Sequence, residues 1–320
     1  MVNTILFFIG VLFAIVICMK LHLNIGIVAL AIAFLLGTIT GGATVNGIIS
    51  LFPIPLFFNF FLATFLFGFA SENGTLKKVA ENLFYYFRNM HWAIGLLFFV
   101  VTFVVSALGA AGAAPLFVSA LCFSLAAQVK NNTLLVPVAI WTGSMVGGGM
   151  PWSSGYATNV GQLQIYYSAE ESSYMVYSFF GWRAVFYTLF YLVMFFVLKG
   201  WKVGRGTLIV EQPEPMNYKQ KITLKIILVI IALVLISAIL PKLIPVATVN
   251  KICSNLSFQF LATIGILVNT YLATADYKKV VTQRIPWDTL IMLSTMGIYM
   301  SLAKTLGIVD YMVEVLQNDI

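Results

Sequence analysis

One stretch, residues 92–164, limits what this chain can fold into. It is over 70 residues long and carries a single charge, Lys130. Two short runs interrupt its helical pattern. The first is Ser106-Ala-Leu-Gly-Ala-Ala-Gly-Ala-Ala-Pro; the second is Gly147-Gly-Gly-Met-Pro-Trp-Ser-Ser-Gly. Both lie between strongly apolar runs. In hydrocarbon, backbone outside a helix is tolerated only where it is buried in protein or lines a cavity. A pair of such breaks is therefore the best sequence pointer to a solute site in a secondary transporter. The competing reading is an ordinary loop and an ordinary kink.

The whole chain is 61% hydrophobic and 9% charged, with mean hydropathy +0.97. A soluble domain has about 25% charged residues. The fold class expected is an all-α polytopic membrane protein in the cell membrane. The net charge of +7 does not imply nucleic acid, because the basic residues stand between apolar spans and read as topology signals. Cys18, Cys122 and Cys253 have no paired spacing, so neither a disulfide framework nor a metal site is expected. Both histidines, His22 and His91, flank spans. Residues 1–19 lack a basic n-region and a cleavage site and read as a first span, not a signal peptide.

Four parts follow along the chain. Residues 1–91 hold spans at 3–19, 25–40 and 54–70, then an arm. In that arm Leu76, Val79, Ala80, Leu83, Phe84 and Phe87 recur at helical spacing, as in a helix lying in the membrane interface. Residues 92–198 begin with two apolar runs, each short of a full crossing, joined by a Gly/Ala turn. They suit a re-entrant hairpin. A helix broken at the second interruption and a span at 182–198 complete this part. Residues 199–221 are polar and read as a cytoplasmic linker. Residues 222–320 repeat the first pattern, with spans at 224–240, 256–273 and 285–303 and an amphipathic segment after Gly307.

Ile54-Pro55 and Ile285-Pro286 start the third span of each series, and Gly74 and Gly307 open the segments that follow. An inverted-repeat transporter is therefore expected. With the N-terminus outside, fourteen of the eighteen Lys and Arg residues fall inside; Lys242, Lys251 and Lys304 fall outside and Arg183 near the outer boundary. Aligning Gly74 with Gly307 places Ile320 opposite position 87. The second repeat thus reads as truncated; the expectation is a truncated product, a fragment, or a subunit whose missing half a second polypeptide or a homo-oligomer supplies.

The chain resembles the ion transporter superfamily, which includes divalent-anion/sodium symporters, arsenite pumps and MatC-type dicarboxylate carriers. It looks most like the MatC-type N-terminal region. Phe67-Gly-Phe-Ala-Ser-Glu-Asn-Gly-Thr-Leu, the tip from Ser106, Gly148-Gly-Met-Pro-Trp-Ser-Ser-Gly and Ile285-Pro-Trp-Asp-Thr-Leu-Ile-Met-Leu carry the resemblance. It implies an elevator-like carrier whose hairpin tip and broken helix hold substrate and, often, sodium. The symporters carry Ser-Asn-Thr at the tip; here it is Ser106-Ala-Leu-Gly, which leaves sodium coordination open.

A carboxylate can be held without a basic side chain, by half-helix N-termini with their free N–H groups. Pro115 occupies the favoured first-turn position of such a half-helix. Ser106, Ser153, Ser154, Thr158 and Asn159 can donate side-chain protons. Gly109, Gly112, Gly148, Gly149 and Gly155 let backbone approach a ligand. These ten are the expected substrate-binding residues. The alternative for each Ser or Thr is bonding back to its own helix, and for each Gly, helix packing. No Asp or Glu lies in the stretch, which argues against a buried acidic proton relay there. No cofactor is expected beyond sodium or a proton as coupling ion.

The function expected is secondary transport of a small carboxylate, a dicarboxylate such as malonate, malate or succinate. The rivals are an arsenite or cation exchanger, a non-transporting remnant or partner subunit, and a membrane enzyme, for which no catalytic constellation is present. Arg183 reads mainly as a snorkelling residue, with a substrate role as the alternative. Asn73, Asn131 and Asn255 match the glycosylation pattern.

Overall fold

The computed structural model describes residues 2–40, 42–90, 93–110, 114–128, 133–202, 212–244 and 246–318. Among them the regular elements are all helical. Four helices are long and apolar enough to cross a membrane: α1 (Val2–Leu21), α4 (Ile54–Glu72), α10 (Ala169–Val197) and α11 (Tyr218–Leu243). Between the first two lie α2 (Ile25–Ile39) and α3 (Val45–Ile49). The short α3 falls in what reads from sequence as an uncharged link; Thr44 starts it by accepting from Gly47 N–H at 3.1 Å. After α4 come α5 (Thr75–Tyr86), α6 (Ile94–Val105), α7 (Ala114–Gln128), α8 (Leu135–Gly147) and α9 (Ser154–Leu163). After α11 come α12 (Ala247–Asn255), α13 (Phe258–Tyr271), α14 (Tyr277–Lys279), α15 (Trp287–Thr305) and α16 (Ile308–Asn318).

Two span expectations change. The span at 182–198 starts thirteen residues earlier, at Ala169. A capping box begins it: Glu171 N–H donates to Ser168 Oγ at 3.3 Å and Ser168 N–H to Glu171 Oε2 at 3.1 Å. Arg183 therefore stands at the middle of a helix about 44 Å long, not near its outer end. The span at 256–273 is one helix, but a short one. Helix α13 has 14 residues, and α12 precedes it at a bend of 51°.

The chain forms two compact units. The first holds residues 1–58, 160–172 and 286–320. Here α2 packs between α1 and α15. Gly26 makes the close approach to α15, since a Cβ there would lie 2.6 Å from Met292 Cα. Asn24 caps α2 and donates to Asp288 O at 2.7 Å. Tyr299 stacks on Phe7 at 4.4 Å and donates to its carbonyl at 2.7 Å.

The second unit holds residues 59–159 and 173–285. Its core joins α5, α6, α7, α8, α10 and α11, with Phe84, Phe98, Cys122, Leu135, Tyr191 and Ile227 buried. The apolar face of α5 is covered by protein. Leu76, Ala80 and Phe84 are buried, and the Phe84 ring sits 6.3 Å from that of Phe98. Asn73 joins a polar knot. It donates to Thr223 Oγ1 at 2.9 Å and accepts from Thr75 Oγ1 at 2.6 Å, while Thr223 donates to Asn269 Oδ1 at 3.2 Å. With its amide occupied in this way, Asn73 is not a free glycosylation acceptor. Asn73→Ala is expected to lower stability by about 1–3 kcal/mol, because buried partners lose their bonds. Thermal unfolding of the purified protein measures this.

Helix starts recur at a constant shift: 258 − 25 = 287 − 54 = 308 − 75 = 233. The caps Asn24 and Ser257 keep it, as do the left-handed glycines Gly74 (φ 77°) and Gly307 (φ 69°). Contacts within the units keep it too. Gly26 meets Met292 in the first; in the second, Gln259 donates to Asn59 at 2.5 Å. Adding 233 to 26 gives 259, and to 59 gives 292. The same contact is thus made with the roles exchanged.

Candidate functional site

Helices α6 and α7 have 12 and 15 residues. At about 1.5 Å per residue neither reaches across about 30 Å of hydrocarbon. Helix α6 ends in a widened turn at Ser106–Ala110, where Gly109 takes φ 93°. Only glycine adopts that conformation without strain. Phe67 of α4 also fills the space a Cβ would need there. Gly112 lies outside the described residues. Pro115 falls in the first turn of α7, as its sequence position predicts.

The second interruption lies between α8 and α9. Its backbone groups are largely satisfied locally. Gly148 N–H donates to Ser144 O at 2.8 Å, Gly149 to Val146 O at 3.2 Å, Met150 to Gly147 O at 3.2 Å and Ser153 to Met150 O at 2.8 Å. Ser153 closes the turn: it accepts from Tyr156 N–H at 3.2 Å and donates to Gly148 O. The missing member is Met145 O. Arg183 of α10 takes it, donating from Nη2 at 2.6 Å.

The tip and the break meet. Gly143 and Gly147 on α8 form a small-residue pair at four-residue spacing, facing the backbone of α6. A Cβ on Gly143 would lie 2.7 Å from Phe99 O; one on Gly147 would lie 2.7 Å from Ser106 Cβ and 2.9 Å from Ala107 N. Trp152, inside the break, is buried and donates from Nε1 to Ala107 O at 2.5 Å. That carbonyl belongs to the widened turn, where helical pairing is irregular. Trp152→Phe keeps most of the buried ring and deletes the donor. A loss of about 1–3 kcal/mol is expected for the unpaired buried carbonyl, read by thermal unfolding.

The predicted residues divide into distinct roles. Ser106 is fully buried and its hydroxyl has no partner among the described residues. Gly148, Gly149 and Gly155 form the break; a Cβ on Gly155 would run into Gly148 O. Ser153 is the cap of α9, with its hydroxyl used as donor and acceptor. Thr158 donates back to Ser154 O at 2.9 Å, as the bland alternative has it. The side chains of Ser154 and Asn159, on α9, make no hydrogen bond among the described residues. Tyr156 packs against Tyr177 of α10 with tilted rings, centroids 5.3 Å apart. Trp152, Gly143 and the mid-helix place of Arg183 escaped the sequence reading. The Gly143-x-x-x-Gly147 spacing was the available signal for α8 lying on α6.

No curated protein matches this chain. Residues 1–148 match the family model described as dicarboxylate carrier protein MatC N-terminus. The match spans the tip and all of α8, and it points to a carrier rather than an enzyme. The residues that build the tip and α8 thus lie in the part of the chain that is similar to the MatC N-terminus.

Proposed function

We propose that this protein is a secondary active transporter of small dicarboxylates such as malonate, malate or succinate. The observation that carries this reading is the packing of the tip on the break, through Gly147 and the Trp152–Ala107 bond. Two non-helical segments meeting inside an apolar bundle have a solute site as their best physical rationale. The first turn of α9 has N–H groups, at Ser154 and Gly155, that its own helix leaves without a partner, and the helix dipole would add to their pull on an anion. Ser106, Ser154 and Asn159 supply further donors.

In this reading α6 and α7 form a re-entrant hairpin and residues 222–320 are a second, inverted copy of the first helices. The constant shift of 233 residues and the exchanged Gly26–Met292 and Gln259–Asn59 contacts support the repeat. The protein is a multi-pass cell-membrane protein with its N-terminus outside. Sodium or a proton drives the transport.

The test is binding of labelled succinate and malonate to the purified chain in lipid nanodiscs. Saturable binding, each anion competing with the other, is the expected result; no binding of either overturns the proposal. Uptake into proteoliposomes with and without a sodium gradient then identifies the coupling ion.

A further inference from the structure

Arg183 is the only charged residue between Glu171 and Lys199. A guanidinium in the middle of a long apolar helix is costly, and such residues are retained where they pair or work. One donor is accounted for: Nη2 holds Met145 O, the last-turn carbonyl of α8 that the backbone leaves when Gly149 N–H turns to Val146 O. The partial negative charge of a helix C-terminus favours a cation there but amounts to about half an elementary charge. Nε is shielded from solvent and donates to nothing among the described residues. The ion pairs among those residues are Lys77–Glu81, Lys78–Glu81 and Glu72–Arg284, so none takes Arg183. Residues 92–164 contain no Asp or Glu to serve as its counter-ion.

The guanidinium lies against the break itself. A Cβ on Gly149 would collide with Nη2 and lie 2.7 Å from the Phe180 ring, so glycine at 149 is what lets the cation reach this place. On the other flank, beside Gly147, is the fully buried, unpartnered hydroxyl of Ser106. The break is thus bordered by a full positive charge and a hydroxyl, neither of which has an ionic or hydrogen-bond partner for its spare donors among the described residues. Both would be satisfied by an anion with oxygen acceptors.

We propose that Arg183 is the charge-bearing anchor of the solute site: it holds one carboxylate of a dicarboxylate at the break and thereby selects dianions over monoanions. This rests on the carrier reading above. A guanidinium offers a planar fork that matches a carboxylate, which an ammonium does not. Arg183→Lys is accordingly expected to keep only part of the selectivity.

The experiment compares the dissociation constants of succinate and its half-amide, succinamate, in nanodiscs for the wild type, Arg183→Gln and Gly149→Ala. The half-amide keeps the shape and loses one charge. The wild type is expected to prefer succinate by about 10-fold or more, the range of a hydrogen bond to a charged group. Arg183→Gln should bring the ratio close to one. Gly149→Ala keeps the charge but pushes the guanidinium aside, and should lower the ratio as well. It decides alone if Arg183→Gln does not fold. A merely structural latch between α10 and α8 would lower the unfolding temperature and leave the ratio intact. An intact ratio in the folded variants overturns the role of Arg183 and spares the carrier reading. A wild type that binds neither anion overturns both.

Discussion

Gly147→Leu is expected to unfold the junction between tip and break. A Cβ at 147 would already meet Ser106 Cβ at 2.7 Å and Ala107 N at 2.9 Å, with Phe103 O closer still. None of these is the far end of a flexible side chain, so α6 or α8 must shift. Overpacking a close interface costs about 1–3 kcal/mol, and the longer Leu side chain sits at the upper end or beyond. The shift would also stretch the Trp152–Ala107 bond and leave buried polar groups unpaired. Gly147→Ala should show the same effect in smaller measure. Unfolding temperatures in a fixed detergent rank the three proteins, with wild type highest and Leu lowest. An alanine variant as stable as wild type would mean that the two helices are not held at backbone contact.

Ser154→Ala and Asn159→Ala should behave in the opposite way. Neither side chain has a partner among the described residues, so truncation breaks no internal hydrogen bond and the unfolding temperature should hardly move. If they face a carboxylate, each loses a hydrogen bond to a charged group, about 1.5–3 kcal/mol or roughly 10- to 150-fold in succinate affinity. Thr158→Val serves as the contrast. Its hydroxyl bonds back to Ser154 O within α9, and affinity should change little. Unweakened binding in both Ser154→Ala and Asn159→Ala would leave these residues with helix packing alone.

The two interruptions were legible because each combines a cluster of small residues with a proline inside an otherwise apolar run. Glycines clustered beside a proline disfavour a continued helix, and the structure breaks α6 at Ser106 and α8 at Gly147. The two matching glycine turns were legible for a similar reason. Gly74 and Gly307 must both adopt a left-handed turn, and the sequence marks that with glycine. Other features escaped because hydropathy masked local capping chemistry. Ser168-Ala-Glu-Glu171 is a capping box, and so is the Asn217–Gln220 pair that starts α11 before its apolar run begins. Reading the start of α10 from hydropathy alone put Arg183 at the end of a helix in whose middle it stands. The division of the candidate residues into roles was not legible at all. Whether a serine caps a turn, like Ser153, or leaves its hydroxyl unused, like Ser106, depends on neighbours far away in sequence.

The central claim is that solute sits where the tip and the break meet. Substrate protection of a cysteine placed there tests it most directly. Ser154→Cys, made in a background with Cys18, Cys122 and Cys253 replaced, would be labelled with a maleimide in nanodiscs, beside a control at the exposed Ser254. Succinate should slow labelling at position 154 in a saturable way, at its own binding concentration, and leave position 254 unchanged. Equal labelling at 154 with and without saturating succinate, in a protein that binds succinate, would place the solute elsewhere and contradict the account.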